Sequence, residues 1–202
     1  MKELKFTNGW FDTAGRQTWD QMIPKLRPQR ILEVGSFEGA STCYLIQKLS
    51  DRPLELHCID TWEGGLEHIS DGDAKHDMSI VKQTFDENME IVKNPNLDLY
   101  IHQGYSHVEL AKLLVGGYTD YFDFIYIDGS HESPDVLCDA VLAFKLLKLG
   151  GVMVFDDYIW HHEDRDLYRC PKMAIDSFAT IYWRKLEITT SPSQLIVQKF
   201  SN

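Results

Sequence analysis

The stretch of residues 31–42 constrains the fold more than any other part of the chain. Its sequence, Ile-Leu-Glu-Val-Gly-Ser-Phe-Glu-Gly-Ala-Ser-Thr, begins with a short apolar run that is typical of a strand buried in a parallel sheet. Gly35 and Gly39 predict a turn in which the backbone approaches another group closely, because glycine has no Cβ in the way. From Ala40 the apolar residues recur at helical spacing. A strand, a glycine turn and a helix in this order predict the first βα unit of a nucleotide-binding fold, with backbone N–H groups facing a ligand.

The spacing of the glycines argues against a dinucleotide as that ligand. Glu33, Gly35 and Gly39 form the pattern Glu-x-Gly-x-x-x-Gly. The pyrophosphate of a dinucleotide is held by a different pattern, Gly-x-Gly-x-x-Gly. A ligand without phosphates therefore fits this turn better than NAD does.

The rest of the chain alternates predicted strands with predicted helices. Apolar runs predict further strands at residues 54–60, 97–102, 121–127 and 152–155. Apolar residues at helical spacing predict helices at residues 16–26, 78–92, 108–114, 134–149 and 171–181. Pro24 could end the first helix early, and Gly150-Gly151 is predicted to end the helix at 134–149. Residues 186–190 and 194–200 are predicted to pair as an antiparallel edge. This alternation indicates an α/β fold with a doubly wound, mostly parallel sheet and an antiparallel edge strand.

Composition and charge narrow the range of partners. The formal charge of −11 argues against nucleic acid, because phosphate binding needs a basic surface. No run of about 20 apolar residues could span a membrane. The N-terminal residues lack the apolar core of a signal peptide, so we expect a cytoplasmic protein. A small molecule is the expected partner, and a homodimer stays open.

The cysteines are not expected to form disulfides. Cys43, Cys58, Cys138 and Cys170 are widely spaced and include no Cys-x-x-Cys pair. We interpret them as reduced thiols, with the first three on apolar faces.

Acidic residues follow three of the predicted strands. Asp60 ends the second strand, Asp128 follows the fourth, and Asp156 and Asp157 follow the fifth. In doubly wound sheets, ligands bind beyond the carboxyl ends of the strands. There the Asp60 carboxylate could accept both ribose hydroxyls of an adenosine. The alternative is an acid that only caps a helix or a turn.

The other three acids predict a cation site. If the fourth and fifth strands are neighbours, their ends lie about 4.8 Å apart, so that Asp128, Asp156 and Asp157 would converge. Such a cluster is costly unless protons or a cation neutralise it. Oxygen ligands alone suit Mg²⁺, Mn²⁺ or Ca²⁺. The alternative is that Asp128 binds the amino group of a cofactor while the other two acids cap a loop.

Four motifs in sequence order carry a resemblance to a known family. They are Glu-Val-Gly-Ser-Phe-Glu-Gly-Ala-Ser at residues 33–41, Cys-Ile-Asp-Thr-Trp-Glu-Gly at 58–64, Tyr-Ile-Asp-Gly-Ser-His at 126–131, and Leu-Leu-Lys-Leu-Gly-Gly-Val-Met-Val-Phe-Asp-Asp at 146–157. The chain resembles the class I S-adenosylmethionine-dependent methyltransferases of the macrocin type (methyltransferase family 24). It is also similar to the catechol and caffeoyl-CoA O-methyltransferases. The resemblance covers most of the chain.

The resemblance implies a set of residues around the cofactor. It places Glu33, Gly35, Ser36, Phe37 and Gly39 around the methionine end, with hydrogen bonds from Ser41 and Thr42. It places Asp60 at the ribose, Thr61 and Trp62 beside the adenosine, Gly104, Tyr105 and Ser106 against the adenine, and Asp128 near the methionine end. For Trp62 the alternative is a hydrophobic anchor of the long loop at residues 61–77.

The resemblance also supports a metal and a base. Its metal ligands fall at the strand ends that carry Asp128, Asp156 and Asp157, although the catechol type has Asp-Asn where this chain has Asp-Asp. His131, three residues after Asp128, is the best candidate for a general base or substrate contact. His68, His161 and His162 are weaker candidates, and His57 and His102 are expected to be surface residues.

The chain is therefore predicted to be a single methyltransferase domain over residues 1–202. Residues 1–29 form a helical lead-in, residues 30–157 the cofactor-binding core, and residues 158–202 the substrate-side segment and edge strands. The predicted activity is O-methylation of a small hydroxylated molecule such as a sugar or vicinal diol, with a divalent metal and His131 as base. Two alternatives remain: a metal-independent O- or N-methyltransferase of the same fold, and a protein that binds the cofactor without catalysis.

Overall fold

The computed structural model describes residues 3–68, 74–160 and 166–202. Within these ranges one sheet contains β1 (Arg30–Val34), β2 (Leu54–Asp60), β3 (Leu97–Gln103), β4 (Phe122–Ile127), β5 (Leu147–Phe155), β6 (Leu186–Thr190) and β7 (Leu195–Lys199). The helices are α1 (Trp10–Ala14), α2 (Arg16–Leu26), α3 (Ala40–Lys48), α4 (Val81–Val92), α5 (Ser106–Val115), α6 (Ser133–Leu146) and α7 (Pro171–Tyr182). Among these described helices, none is both long and apolar enough to cross a membrane.

The order of the strands creates a crevice beside β1. The sheet runs β3-β2-β1-β4-β5-β7-β6. Strands β1 to β5 are parallel, and β7 is antiparallel to both of its neighbours. From β1 the chain proceeds to β2 and β3 on one side and then returns to β4 on the other. A crevice therefore opens at the carboxyl ends of β1 and β4. The predicted doubly wound sheet with an antiparallel edge is confirmed.

Buried aromatic side chains fill both faces of the sheet. On one face Trp19 of α2 packs edge-on against Phe124 and Tyr126 of β4, with ring centres 5.4 and 4.6 Å away. On the other face Phe178 of α7 lies between Phe144 of α6 and the sheet. Burying each such side chain contributes about 1.5–3 kcal/mol. Both faces are thus covered, which fixes the sheet as a rigid base for its loop end.

Helix α2 does not end early at Pro24, the position where the sequence allowed it to end. Pro24 lies inside the helix, which runs to Leu26. Its missing N–H costs a hydrogen bond only in the last turn, whereas Trp19 and Ile23 are completely buried. Burial of this face therefore outweighs the lost bond.

The pair Gly150-Gly151 lies in a strand and does not end a helix. Helix α6 ends at Leu146, and β5 begins at Leu147. Phe122 of β4 pairs with Leu147, but Phe124 pairs with Val152, so residues 148–151 form a bulge. Gly150 has a φ of 79°, which favours glycine. The prediction was wrong because the glycines accommodate a bulge in the ladder rather than a helix end.

Two smaller predictions also need correction. Helix α4 begins at Val81, three residues after the predicted start at Met78. Cys138 is exposed rather than on an apolar face, whereas Cys43, Cys58 and Cys170 are buried.

A buried lysine joins β7 to the end of α6. Only 2% of the Lys199 side chain is exposed. Its Nζ donates hydrogen bonds to the carbonyl oxygens of Phe144 and Leu147, at 3.1 and 2.7 Å, and pairs with Asp120 at 2.6 Å. The last carbonyls of a helix have no partner within the helix, so Lys199 caps α6. It thereby ties the last strand to the helix that covers β4 and β5.

We expect Lys199→Met to destabilise the protein by about 2–4 kcal/mol, because it leaves Asp120 and two carbonyls without their donor. Urea unfolding measures the difference. Lys145→Met is the matched control, since Lys145 is exposed on α6. Equal losses of stability in the two variants would show that the buried ammonium does not cap the helix.

Candidate active site

A cleft of about 600 Å³ lies at the carboxyl ends of the parallel strands. Its lining comes from the turns after β1, β2, β3, β4 and β5, together with the N-terminal segment and the loop around Glu67. The volume is typical of a pocket for a cofactor or small ligand. It opens at the crevice that the strand order predicts.

Gly35 brings the ends of β1 and β4 together. Its φ is 85°, and a Cβ at this position would overlap the carbonyl oxygen of Asp128. The Asp128 N–H donates a hydrogen bond to the Val34 carbonyl at 2.8 Å, which also joins the end of β4 to the end of β1. Only glycine allows this approach. The contact sets the distance between the first turn and the acid that follows β4.

Gly39 is required for a different reason from the one expected. Its φ is 83°, and its Cβ would lie 2.9 Å from Met89 and 3.0 Å from Phe85. The residue therefore faces the core under α4 and is not among the residues that line the cleft. Its missing side chain makes room for packing rather than for a ligand.

Asp60 holds the glycine turn in shape. Its Oδ2 accepts hydrogen bonds from the backbone N–H groups of Ser36 and Phe37, at 2.9 and 2.8 Å. Its Oδ1 accepts from the Trp62 N–H at 2.6 Å. A carboxylate has about four acceptor positions, so there is room for about one further donor rather than two. Asp60 and Thr61 both line the cleft.

Trp62 anchors the loop that follows β2. Its side chain is buried, its Nε1 donates to the Phe37 carbonyl at 2.8 Å, and its ring packs on Phe85. It does not line the cleft. The structure agrees with the alternative of a hydrophobic anchor, and not with a position beside the adenosine.

Glu33 lies beneath the turn rather than in the cleft. It is completely buried, and its carboxylate accepts hydrogen bonds from the hydroxyls of Ser36 and Ser41, at 2.7 and 2.6 Å, and from Thr42. Burial raises the pKa of Glu33, although these hydroxyls oppose the shift. Glu33 and Thr42 do not line the cleft, whereas Ser36, Phe37 and Ser41 do. Glu33 thus positions the turn and the start of α3.

The turn after β3 forms another wall of the cleft. Gly104, Tyr105 and Ser106 all line it, as predicted for the adenine side. Asp139 of α6 is a buried acid behind this wall that sequence reasoning missed. It is 1% exposed, its Oδ1 has no hydrogen-bond partner among the described residues, and burial raises its pKa to about 7. No motif marks it, because it lies on the inner face of an apolar helix.

Tyr126 links the acids that follow β4 and β5. Its hydroxyl donates to Asp128 Oδ2 at 3.0 Å and contacts Asp156 Oδ2. Gln194 also donates to Asp156 Oδ2, at 3.1 Å. Burial is the main cause that raises the pKa of Asp128, and the negative charges of Asp156 and Asp157 raise it further. Burial is also the main cause that raises the pKa of Asp156 to about 6, with a further contribution from the charge of Asp157. A phenol carries a single proton, so its two carboxyl contacts require another proton on one of the acids.

Asp157 lies beside His131 and lines the cleft. Its φ of 51° turns its side chain into the cleft, where Oδ2 lies 2.8 Å from His131 Nε2. Ligand atoms of Asp128, His131 and Asp157 lie within 4.8 Å of one another, the one such group found among the described residues. The predicted metal set contained Asp156 in place of His131. Asp156 Oδ2 contacts Tyr126 and accepts a hydrogen bond from Gln194.

His131 is surrounded by acids. Its Nδ1 lies 3.7 Å from Glu67 Oε1, and neither ring nitrogen forms a well-aligned hydrogen bond with the described residues. Burial lowers the pKa of His131, but Asp157, Glu67 and Asp156 outweigh burial and raise it. Trp160 packs on the ring at 5.3 Å. The imidazole is therefore fixed at the cleft and can exchange a proton with a bound molecule.

The structure places three of the other histidines considered from the sequence, namely His68, His57 and His102. His68 lines the cleft and stacks on Phe37 with ring centres 5.5 Å apart. His57 is 1% exposed and lies 3.0 Å from His102, so it was wrongly expected at the surface, and neither lines the cleft. His161 and His162 lie outside the described residues.

A family model described as a methyltransferase domain matches residues 32–158, which include the glycine turn, Asp60, Asp128 and both acids after β5. The chain belongs to this methyltransferase family. The predicted membership of the S-adenosylmethionine-dependent methyltransferases is thus confirmed.

Relatives and solved structures agree with the assignment. The chain is 28% identical to an O-methyltransferase of Aspergillus hancockii over 65% of this chain and 43% of that protein. It is 23% identical to a probable caffeoyl-CoA O-methyltransferase of Dictyostelium discoideum over 76% of this chain and 54% of that one. The chain thus spans about half the length of these relatives.

The fold matches solved methyltransferases at low sequence identity. The O-methyltransferase of Bacillus cereus, in complex with S-adenosylhomocysteine, superposes with a TM-score of 0.68 at 17% identity, over 93% of this chain and 82% of that one. The S-adenosylhomocysteine-bound methyltransferase of Podospora anserina superposes with a TM-score of 0.63 at 16% identity, over 96% and 85%.

We expect Gly35→Ala to abolish binding of S-adenosylhomocysteine, because the added Cβ would push the first turn away from Asp128. The strained φ and the overlap should also cost at least about 2 kcal/mol of stability. Calorimetric titration and urea unfolding measure the two effects. Gly9→Ala is the control, since a Cβ at Gly9 meets nothing within 4 Å. Normal affinity in Gly35→Ala would contradict this view of the turn.

We expect Asp139→Asn to stabilise the protein more at high pH than at low pH. The folded state holds the Asp139 proton up to about pH 7, whereas the unfolded state loses it near the ordinary aspartate pKa of 3.8. Stability is therefore lost as the pH rises between these values, and asparagine avoids that loss. The gain over wild type should be about 2–3 kcal/mol larger at about pH 8 than at about pH 5.

Urea unfolding at both pH values tests this prediction, with Asp98→Asn as the exposed control. A gain that does not change with pH would show that Asp139 is not protonated in the folded protein.

Proposed function

We propose that this protein is an S-adenosylmethionine-dependent O-methyltransferase that methylates a hydroxyl of a small molecule, with the help of a divalent cation. The observation that carries the proposal is the meeting of Asp128, Asp157 and His131 in one cleft with the glycine turn and Asp60. The first group of side chains can orient and deprotonate a hydroxyl, and the second can hold a nucleoside cofactor. The family membership supports the methyl transfer.

The cofactor would bind along the turns after β1, β2 and β3. Asp60 has room for one ribose hydroxyl at Oδ1, and Gly104 to Ser106 would flank the adenine. The methionine end would lie against Gly35, Ser36 and Ser41. Phe37, with a φ of 48°, would contact the cofactor from the turn.

The donor set fits a divalent cation. Asp128 and Asp157 would hold it, and the crowding of these two acids with Asp156 is what a cation would relieve. Burial and mutual repulsion raise the pKa of both Asp128 and Asp156, which is the cost that a cluster without a cation bears. When bound, a cation would lower the pKa of the acceptor hydroxyl and orient it.

His131 would take the proton of the acceptor hydroxyl. Its Nε2 lies 2.8 Å from Asp157 Oδ2, so Nδ1 is the nitrogen that is left to accept a proton from a bound molecule. Trp160, packed on the ring, keeps it facing the cleft. Holding the acceptor oxygen in line with the methyl group could supply several kcal/mol of barrier lowering.

One observation favours the alternative without a metal. The Tyr126 hydroxyl contacts Asp156 and Gln194 donates to it, so protons and protein donors could replace a cation in relieving the repulsion within the cluster. A metal-independent O- or N-methyltransferase therefore remains the second candidate. The acceptor class, a sugar or vicinal diol, is proposed from the resemblance alone.

We expect Asp157→Ala to keep the affinity for S-adenosylhomocysteine but to lose binding of Mn²⁺ and nearly all methyl transfer. The Asp157 carboxylate lies beside His131 and Asp128 and forms no hydrogen bond with the described turns after β1, β2 and β3, so we expect the cation and the acceptor to depend on it more than the cofactor does. Calorimetry measures the cofactor product, electron paramagnetic resonance measures Mn²⁺, and release of S-adenosylhomocysteine measures turnover on a panel of acceptors. Asp98→Ala is the exposed control.

The two candidates give different results in this experiment. Loss of turnover in EDTA, restored by Mg²⁺ or Mn²⁺, supports the metal-dependent enzyme. Full turnover in EDTA, with no Mn²⁺ bound by wild type, identifies the metal-independent one.

A further inference from the structure

We infer that the cleft selects an acceptor without negative charge, either neutral or cationic, and that Glu67 binds a hydrogen-bond donor of that acceptor. The inference rests on the proposed function, because it concerns the molecule that receives the methyl group. It concerns the charge of the acceptor, which neither the family nor the fold determines.

The described lining of the cleft contains many acids and neither Lys nor Arg. Eight Asp and Glu residues line it, whereas no Lys or Arg does so among the described residues. The other ionisable side chains of this lining that could carry positive charge are His68, His107 and His131. Walls of one charge focus the potential inside a cleft and raise the local concentration of ions of the opposite sign. The cofactor's sulfonium suits such a field, and an anionic acceptor does not.

The lack of Lys and Arg among the described lining residues distinguishes this cleft from a site built to hold a CoA ester. Proteins commonly bind phosphate groups with Arg and Lys side chains. The relative from Dictyostelium discoideum is described as a probable caffeoyl-CoA O-methyltransferase. The described lining of this cleft offers no side chain of that kind to the phosphates of CoA.

Glu67 is the acid that is best placed to contact the acceptor. It lies in a short turn at Leu66–His68, and only 7% of its side chain is exposed. Its Oε1 lies 3.7 Å from His131 Nδ1, the nitrogen that would accept the proton of the acceptor. A group bound to His131 therefore comes within reach of Glu67 as well.

The Glu67 carboxylate still has hydrogen-bonding capacity. It accepts no hydrogen bond from the described residues. His68 Nδ1 lies 3.3 Å away, but it accepts the Gly65 N–H at 3.0 Å, so its lone pair is occupied and a neutral His68 cannot donate from this atom. Burial lowers the pKa of His68, which favours the neutral ring. A buried carboxylate without a donor is costly, and a hydroxyl or ammonium group of the acceptor would supply the donor.

The backbone around Glu67 is built to keep the carboxylate in this place. A Cβ at Gly65 would lie 2.5 Å from Glu67 Oε1, so the carboxylate rests directly on the glycine. The Ala74 N–H donates to the Glu67 carbonyl at 2.9 Å and closes the loop behind it. The side chain therefore faces His131 across the cleft instead of solvent.

Charged nitroxide probes test the inference without knowledge of the acceptor. Amino-, hydroxy- and carboxy-substituted piperidine nitroxides share one ring and differ in charge. Their relaxation effects on the backbone amides of Gly65 and Gly129 are measured by NMR, with and without S-adenosylhomocysteine and Mg²⁺. We expect the cationic probe to relax these amides several-fold more than the anionic one, as a negative cleft requires.

Two variants, each of which removes one negative charge, distinguish the effect of Glu67 from that of the overall negative potential of the protein. Glu67→Gln should lower the ratio of cationic to anionic effect by about twofold at Gly129, because it removes a charge inside the cleft. Glu63→Gln should change it little, since Glu63 is exposed on the same loop and does not line the cleft. A ratio of one or below in wild type, or equal changes in the two variants, would overturn the inference.

A second test measures turnover on two series of acceptors whose members have similar structures but different charges. Ethyl-, aminoethyl- and carboxymethyl-catechol form one series, and glucose, glucosamine and glucuronate form another. In each series that is methylated, the neutral or cationic member should have the highest kcat/KM, and a carboxylate in first place would contradict the inference. If S-adenosylhomocysteine does not bind, the proposed function fails, while the probe ratio in the unliganded protein still reports on the charge of the cleft.

Discussion

The contact between Gly35 and the carbonyl of Asp128 is the constraint on which the rest of the site depends. It joins the carboxyl ends of β1 and β4, the two strands between which the chain order reverses. A side chain at Gly35 would force these ends apart, and the turn for the cofactor would then lose its position relative to the acids. Asp60 and Glu33 hold the same turn from two sides, through backbone N–H groups and through hydroxyls respectively. The turn after β1 is therefore held in one position by hydrogen bonds from two sides.

Concentrated negative charge dominates the opposite side of the cleft. Like charges at close range are costly in a buried place, and the chain meets this cost in three ways. Tyr126 and Gln194 form hydrogen bonds with Asp156, His131 lies against Asp157, and the raised pKa of Asp128 favours its protonated form. A bound divalent cation would be a fourth way to offset the repulsion. The same charge gives the cleft its preference in our proposal, since a field that suits a sulfonium and a metal ion repels an anionic acceptor.

Local sequence predicted the parts of the site that lie in turns after strands. Gly35, Asp60, Asp128, His131 and Asp157 were found in this way, because strand ends in a doubly wound sheet meet at one edge. Residues that act from a distance could not be found. Tyr126 looks like any aromatic residue in a buried strand, Gln194 lies in the hairpin between β6 and β7, and Glu67 stands in a polar loop without a periodic pattern. The role of Gly39 was mistaken for a similar reason, since only tertiary packing shows that it faces Phe85 and Met89.

Titration of the purified protein with S-adenosylhomocysteine, repeated in the presence of excess NAD⁺, tests the central claim most directly. The glycine turn, with Asp60 bonded to its backbone, should bind one S-adenosylhomocysteine per chain. NAD⁺ should leave the heat of binding unchanged, because the turn lacks the spacing that holds a pyrophosphate. Absence of binding, or displacement of S-adenosylhomocysteine by NAD⁺, would contradict the account.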